Sequence, residues 1–140
     1  MVMRRVEQWP LQLSRFLKER QAMPFEWGVN DCMKFASGAV LALTGFNFLQ
    51  GWPDYSTKEE GDAILAGVAG GIQSIITEGL GIEGHRNLLL ARRGDVVMMK
   101  LDGGITAGVV DDSGQRIAGV TEKNGLIRLP LARAWRVWNY

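Results

Sequence analysis

The chain's one cysteine, Cys32, stands in the segment Phe25-Glu26-Trp27-Gly28-Val29-Asn30-Asp31-Cys32-Met33-Lys34-Phe35, at the point where a helix should begin. A thiolate is a far better nucleophile than a thiol, and the unpaired amides and dipole of a helix N-terminus favour the anion. Cysteine hydrolases place their nucleophile this way. The adjacent Asp31 works in the opposite sense, because its charge repels a thiolate. Such a nucleophile also needs a proton acceptor within hydrogen-bond reach, ordinarily a histidine. The one histidine, His85, falls in a polar stretch from Glu83 to Arg86, flanked by glycines, with no rigid element to fix its ring. The competing reading of Cys32 is filler, since free cysteines are often buried and this one belongs to an apolar stripe.

Helical spacing positions the cysteine. Asp31 suits an N-cap, and Cys32, Phe35, Ala36, Ala39, Val40 and Leu43 follow on one face until Gly45 ends the helix. Ala36, Gly38, Ala39 and Ala42 are small, which predicts close approach by a neighbour. Upstream, Pro10 opens a helix with Leu13, Phe16 and Leu17 on one stripe up to Arg20. Downstream, Gly51 to Ser56 reads as a loop and Thr57-Lys58-Glu59-Glu60 as a capping box for a helix through Leu65. Ile72, Ile75 and Ile76 predict one more helix, ended by Gly79 to Gly81. Acids at Glu59, Glu60 and Asp62 complement the dipole of a first helical turn and are assigned no chemistry.

Beyond Ala91 the apolar period changes. Val96 to Leu101 and Ile105 to Val110 predict an antiparallel pair about a turn at Asp102-Gly103-Gly104. Arg116 to Val120, Leu126 to Leu129 and Ala134 to Trp138 predict three further strands, separated by Asp112-Ser113-Gly114, Lys123-Asn124-Gly125 and Pro130. Helices first and an antiparallel sheet second make the class α+β, with N-terminal helices packed on a C-terminal sheet.

The 140 residues, 46% of them hydrophobic, suit one domain spanning 1–140 with a core that needs no staple. One cysteine and one histidine exclude an internal disulfide and a structural zinc site, and no cofactor or metal is expected. A net charge of +1, with both signs spread along the chain, gives no footprint for nucleic acid. The pairs Arg4-Arg5 and Arg92-Arg93 read as solvated surface. No secretory leader follows Met1, and no apolar run approaches the ~20 residues a membrane helix needs, so no membrane insertion is expected.

Trp27-Gly28 followed by Asp31-Cys32, then Arg93-Gly94-Asp95-Val96-Val97 opening a hairpin whose second strand carries Gly108-Val109-Val110, resembles the NlpC/P60 papain-like cysteine peptidase superfamily. More closely, Trp27-Gly28-Val29-Asn30-Asp31-Cys32, Ala91 to Asp95 and Ala134-Trp135-Arg136-Val137 are similar to a family of small phage and prophage proteins on that fold. The match covers roughly residues 20 to 138. The resemblance implies a papain-like scaffold in which a His-x-Gly on the second strand carries the base. Gly108 takes the glycine, so the base position falls on Thr106, which accepts no proton near neutral pH. Met33 stands where a serine is usual, and only Gln115 and Arg116 lie near the place of a third polar residue. Losing a base costs on the order of 10²-fold to 10⁴-fold in rate.

The resemblance therefore implies a degenerate peptidase fold serving as a structural or assembly protein of a phage tail. Its partners would be tail-tip or hub proteins, and its location the virion tail after synthesis in the host cytoplasm. The alternative is an active hydrolase of peptidoglycan, with Cys32 as nucleophile and His85 or a partner's residue as base. A third reading is a small-ligand or peptide-binding module in the inherited cleft. Trp27 and Asp31 at the cysteine, Trp52 in its Gly-Trp-Pro loop, and Trp138 with Tyr140 are the candidate binding residues, since buried aromatic anchors concentrate binding energy.

Overall fold

The computed structural model describes residues 3–101 and 104–140. Four helices, α1 (Trp9–Gln21), α2 (Cys32–Thr44), α3 (Lys58–Ala66) and α4 (Gly71–Leu80), precede five strands. These are β1 (Val96–Leu101), β2 (Gly104–Val110), β3 (Arg116–Thr121), β4 (Gly125–Pro130) and β5 (Ala134–Trp138), in the order β4-β3-β2-β1-β5 with every pairing antiparallel. The protein is α+β. The expected turn residues Asp102 and Gly103 lie outside the described residues.

Local chemistry sets the helix limits. Asp31 caps α2 by accepting from the Lys34 amide, and Gly45 closes it in the left-handed region at φ 79°. Thr57 caps α3 by accepting from the Glu60 amide, while Glu60 reaches back to Ser56 and Thr57. Gly79 does not end α4; it lies inside the helix, where any side chain would collide with Phe48. The close approach predicted for α2 comes from α1: a Cβ on Gly38 would sit 2.5 Å from the Arg20 guanidinium and 3.0 Å from the Phe16 ring.

The main core lies between the helices and one face of the sheet, joining Leu13, Phe35, Val40 and Ile76 to Val96, Met98, Ala107, Val109 and Trp138. A smaller cluster of Val97, Met99, Val110, Ile117, Ala134 and Val137 covers the opposite face. The last strand does not extend the meander. Leu131–Arg133 turns the chain so that β5 returns beside β1.

Two buried carboxylates hold the joints. Asp95 immediately precedes β1 and is fully buried; it accepts from the Arg92 amide, the Arg5 guanidinium at 2.6 Å and the Asn139 side chain. Burial pushes its carboxyl up, against the pull of the Arg92 amide, Arg5 and Asn139. Arg5, expected as solvated surface, is instead 5% exposed, stacked between Trp9 and Tyr140 and donating to the main-chain oxygens of Arg93 and Tyr140. Stacking and three directed donors compensate its desolvation.

Asp111 turns β2 into β3. Burial would raise its carboxyl, but the Ser113 hydroxyl and amide and the Arg128 guanidinium at 2.7 Å overcome this and hold it below the usual range. A lowered folded-state value stabilises the protein above the unfolded carboxylate's ~3.9, and that contribution is lost as pH falls through the folded value. Denaturant melts at descending pH should therefore show the parent's advantage over Asp111→Asn narrowing below about pH 4; a constant gap would show that Asp111 carries no such linkage.

Candidate functional site

The motif ahead of α2 is a cap built from its own residues. Glu26 and Asn30 form an isolated bridge, and the fully buried Asn30 donates to the Pro24 oxygen at 3.0 Å and accepts from Arg20 at 2.6 Å. The Asp31 carboxylate accepts from the Gly28 amide, the Lys34 amide and the Tyr55 hydroxyl, at 2.9, 2.9 and 2.5 Å. Gly28 is confined twice: its φ is 79°, and a Cβ there would lie 1.8 Å from the Tyr55 carbonyl oxygen. Gly28→Ala is expected to destabilise by more than about 1 kcal/mol in urea unfolding, and a variant as stable as the parent would show that this loop is not pressed against Tyr55.

Cys32 is partly buried at the first position of α2. Burial pushes its thiol up; the Ala107 backbone, the Thr106 hydroxyl and the Met33 backbone pull it down, Asp31 repels the thiolate, and the net direction is upward. The backbone at the helix start favours the thiolate, but burial outweighs it. Its neighbours on β2 are reachable because β2 pairs with β3 only at Val109–Ala118 and Val110–Ile117, leaving the outer half of β2 without a ladder on that side. The structure thus brings Thr106 to Cys32.

His85 is not brought there. Its main chain exchanges two hydrogen bonds with Val137, at 2.9 and 2.8 Å, so it borders β5 at the far edge of the sheet. The row His85, Val137, Val97, Gly108 separates it from β2 by three strand spacings, about 14 Å. Its ring is also engaged: Nδ1 accepts from the Asn87 amide, which leaves Nε2 to donate to the Asn139 carbonyl oxygen. His85, the base in the alternative hydrolase reading, is pinned elsewhere by backbone pairing with Val137.

Near the sulfur, the Asp31 oxygens already take three donors, and the Tyr55 hydroxyl is bound to Asp31 and pushed far up by burial and by that bond. Tyr55 was missed in the sequence. It sits in an aperiodic loop, and its only signal is that Gly28 and Gly61 both pack against it.

Cys32 opens into a small cleft of about 70 Å³ lined by Trp27, Lys34, Trp52, Tyr55, Ile64 and Leu65 among others. Trp27 stands edge-on to Phe25 at 4.8 Å, and Lys34 lies 5.8 Å from the Tyr55 ring. Trp27, Asp31 and Trp52 thus share one site. Trp138 does not: it is fully buried with its Nε1 donating to the Thr77 hydroxyl at 3.1 Å, and Tyr140 is 8% exposed. Their expected role as interaction surface is corrected, because both are core. Among the described residues, no group of three His, Cys, Asp or Glu is placed to hold a metal ion, and no single helix is long and apolar enough to cross a membrane.

Residues 4–140 match a family model described as a domain of unknown function, DUF6950. No curated protein and no solved structure matches the chain.

Proposed function

The chain belongs to the DUF6950 family, and we propose that it is a structural or assembly component of a phage tail, built on a degenerate NlpC/P60-like cysteine peptidase fold. The observation that carries this reading is the pairing of Cys32 with Thr106: a sulfur at a helix start meets a hydroxyl where the resemblance puts a histidine. A hydroxyl cannot take the thiol's proton at neutral pH, and the thiol's raised value keeps it protonated there. The order of elements, a nucleophile-type helix followed by an antiparallel sheet whose second strand meets the sulfur, supports the papain-like scaffold.

The tail context comes from the resemblance, and the structure gives its motifs a mechanical rather than a chemical rationale. Trp27 to Asp31 builds a cap, Gly94-Asp95 ties β1 to Arg5 and Asn139, and Ala134 to Val137 forms an edge strand. Partners of this kind of scaffold would be tail-tip or hub proteins, with the protein residing in the virion tail.

Two measurements test the reading. Alkylation of Cys32 against pH should give a midpoint above the ~8.5 of an ordinary thiol, and a midpoint near neutrality would count against an inert sulfur. In phage carrying Cys32→Ala, particle yield and infectivity should match the parent, with the protein present in purified tails. Lost cell-wall degradation with normal assembly would overturn the proposal.

That second outcome is what an active peptidoglycan hydrolase predicts. The observation in its favour is the set of donors at the sulfur, the Ala107 and Met33 backbone groups, which suit an oxyanion as well as a thiolate. It requires a base from a partner. The small-ligand reading fits less well, because about 70 Å³ is well under the ~300 Å³ at which drug-sized pockets begin.

A further inference from the structure

One wall of the Cys32 cleft is a segment held to the rest of the molecule by very little. No residue of 51–74 is fully buried, and α3 lies within this stretch. Among the described residues, one hydrogen bond joins residues 53–67 to the chain outside 51–71: the Tyr55 hydroxyl donates to the Asp31 carboxylate. The other side-chain bonds of the segment close on itself, through Ser56, Thr57 and Glu60 at the cap and the Lys58–Asp62 pair at 2.5 Å. With its cap and its ion pair internal, α3 keeps its shape without the body and can move as one piece.

The two ends of the segment suit a pivot. Gly51 and Gly71 have φ of 88° and 58°, and a Cβ at either would meet nothing within 4 Å, so no neighbour wedges the backbone there. Such positions absorb the dihedral change of a hinge at little cost. What the segment covers is apolar: Ile64 and Leu65 close over the buried Met33, Leu49 and Ile75, with Cys32 beside them. Apolar contact with the core is correspondingly thin, since Trp52, Leu65 and Val68 are only partly buried against it.

We infer that residues 52–70, carrying α3, form a lid over the Cys32 cleft that pivots at Gly51 and Gly71 and is latched shut by the Tyr55 hydroxyl on Asp31. The latch engages the residue that caps the cysteine's own helix, so one carboxylate both fixes the start of α2 and holds the cover over its sulfur. The volume of about 70 Å³ then belongs to the closed form, and opening bares the apolar floor. The inference goes beyond the function proposed above and does not rest on it, because access to the sulfur is gated whatever the sulfur does.

Native-state hydrogen exchange and thiol labelling of the full chain test it. In the parent, the amides of α3 should exchange as a group at least about 10²-fold faster than those of α2, because a lid opens without global unfolding. Tyr55→Phe keeps the ring and both amide bonds to Asp31 but removes the latch. A hydrogen bond to a charged group is worth about 10-fold to 10²-fold in an equilibrium, and α3 exchange should accelerate by that factor. Cys32 reports the same opening: in Tyr55→Phe a bulky dye maleimide should gain at least about threefold in rate over the small methyl methanethiosulfonate. A change in thiolate fraction alone would speed both reagents alike. Ile64→Ala, which weakens the lid's apolar contact and spares the latch, should move the ratio of rates the same way, and it serves as the test if circular dichroism shows Tyr55→Phe unfolded. Protection of α3 equal to that of α2, α3 exchange unmoved in the folded variant, or equal acceleration of the two reagents would each overturn the proposal.

Discussion

Thr106→His is expected to bring the Cys32 thiol down toward neutrality and to speed its alkylation at pH 7 by on the order of 10-fold to 10³-fold. The Thr106 hydroxyl is among the groups that favour the Cys32 thiolate, and an opposite charge within about 4–6 Å lowers a pKa by about one to three units. Thr106 is half-buried near the open end of β2, next to Ile105 at 50% exposure, which leaves room for an imidazole. Thr106→Ala is the control, and its Cys32 should label no faster than the parent's, because a donor to the thiolate has been removed. A folded Thr106→His protein with unchanged labelling would show that position 106 does not address the sulfur. A more reactive thiol is not expected to bring peptidase activity, since Arg116, the polar residue at the start of β3, is paired with Asp111 at 3.4 Å and does not orient the new ring.

The largest stability effect is expected at Asp95. Asp95→Ala leaves the Arg5 guanidinium, 5% exposed, without its carboxylate, and breaking a buried pair in this way costs about 3–5 kcal/mol. For a domain of this size the midpoint should fall by on the order of 10 °C. The direction of both titrations matters here. Burial is the largest influence on each partner, lowering Arg5 and raising Asp95, so both charges are held at a desolvation cost. Removing Arg5 and Asp95 together should therefore destabilise by less than the sum of the single losses. Additive losses would mean that the two residues act independently of each other.

Where the sequence was legible, short-range chemistry set the outcome. α2 begins at the residue after Asp31 and ends before Gly45 because an N-cap and a left-handed glycine are local devices. β1 and β5 have the predicted limits, Val96–Leu101 and Ala134–Trp138. The fate of Trp138 was not readable. The pairing of β5 with β1 shifts between Met98 and Met99, so Ala134 and Val137, three apart, share the outer cluster while Trp138 turns inward. A bulge breaks the alternation on which a face assignment depends. Arg5 was misread because its carboxylate lies 90 residues away, and a pair of arginines carries no local sign of such a partner.

At the site, spacing alone gave the cysteine and motif order gave Thr106, but neither could place His85. Its position follows from two main-chain hydrogen bonds to Val137 and from Asn139, all of which depend on β5 returning beside β1. Tyr55 escaped for a related reason, since loop geometry rather than periodicity carries its hydroxyl to Asp31.

The Asp95 joint has a mechanical consequence. Arg5, Asn139 and the main-chain oxygen of Tyr140 meet within a few bonds of one carboxylate, so tension applied between the N-terminal arm and the final strand loads that clasp before it strains the helices. The thiol and its surroundings sit outside the path of the pull. A subunit tethered at both of these segments would carry strain along one edge and leave the opposite side undeformed.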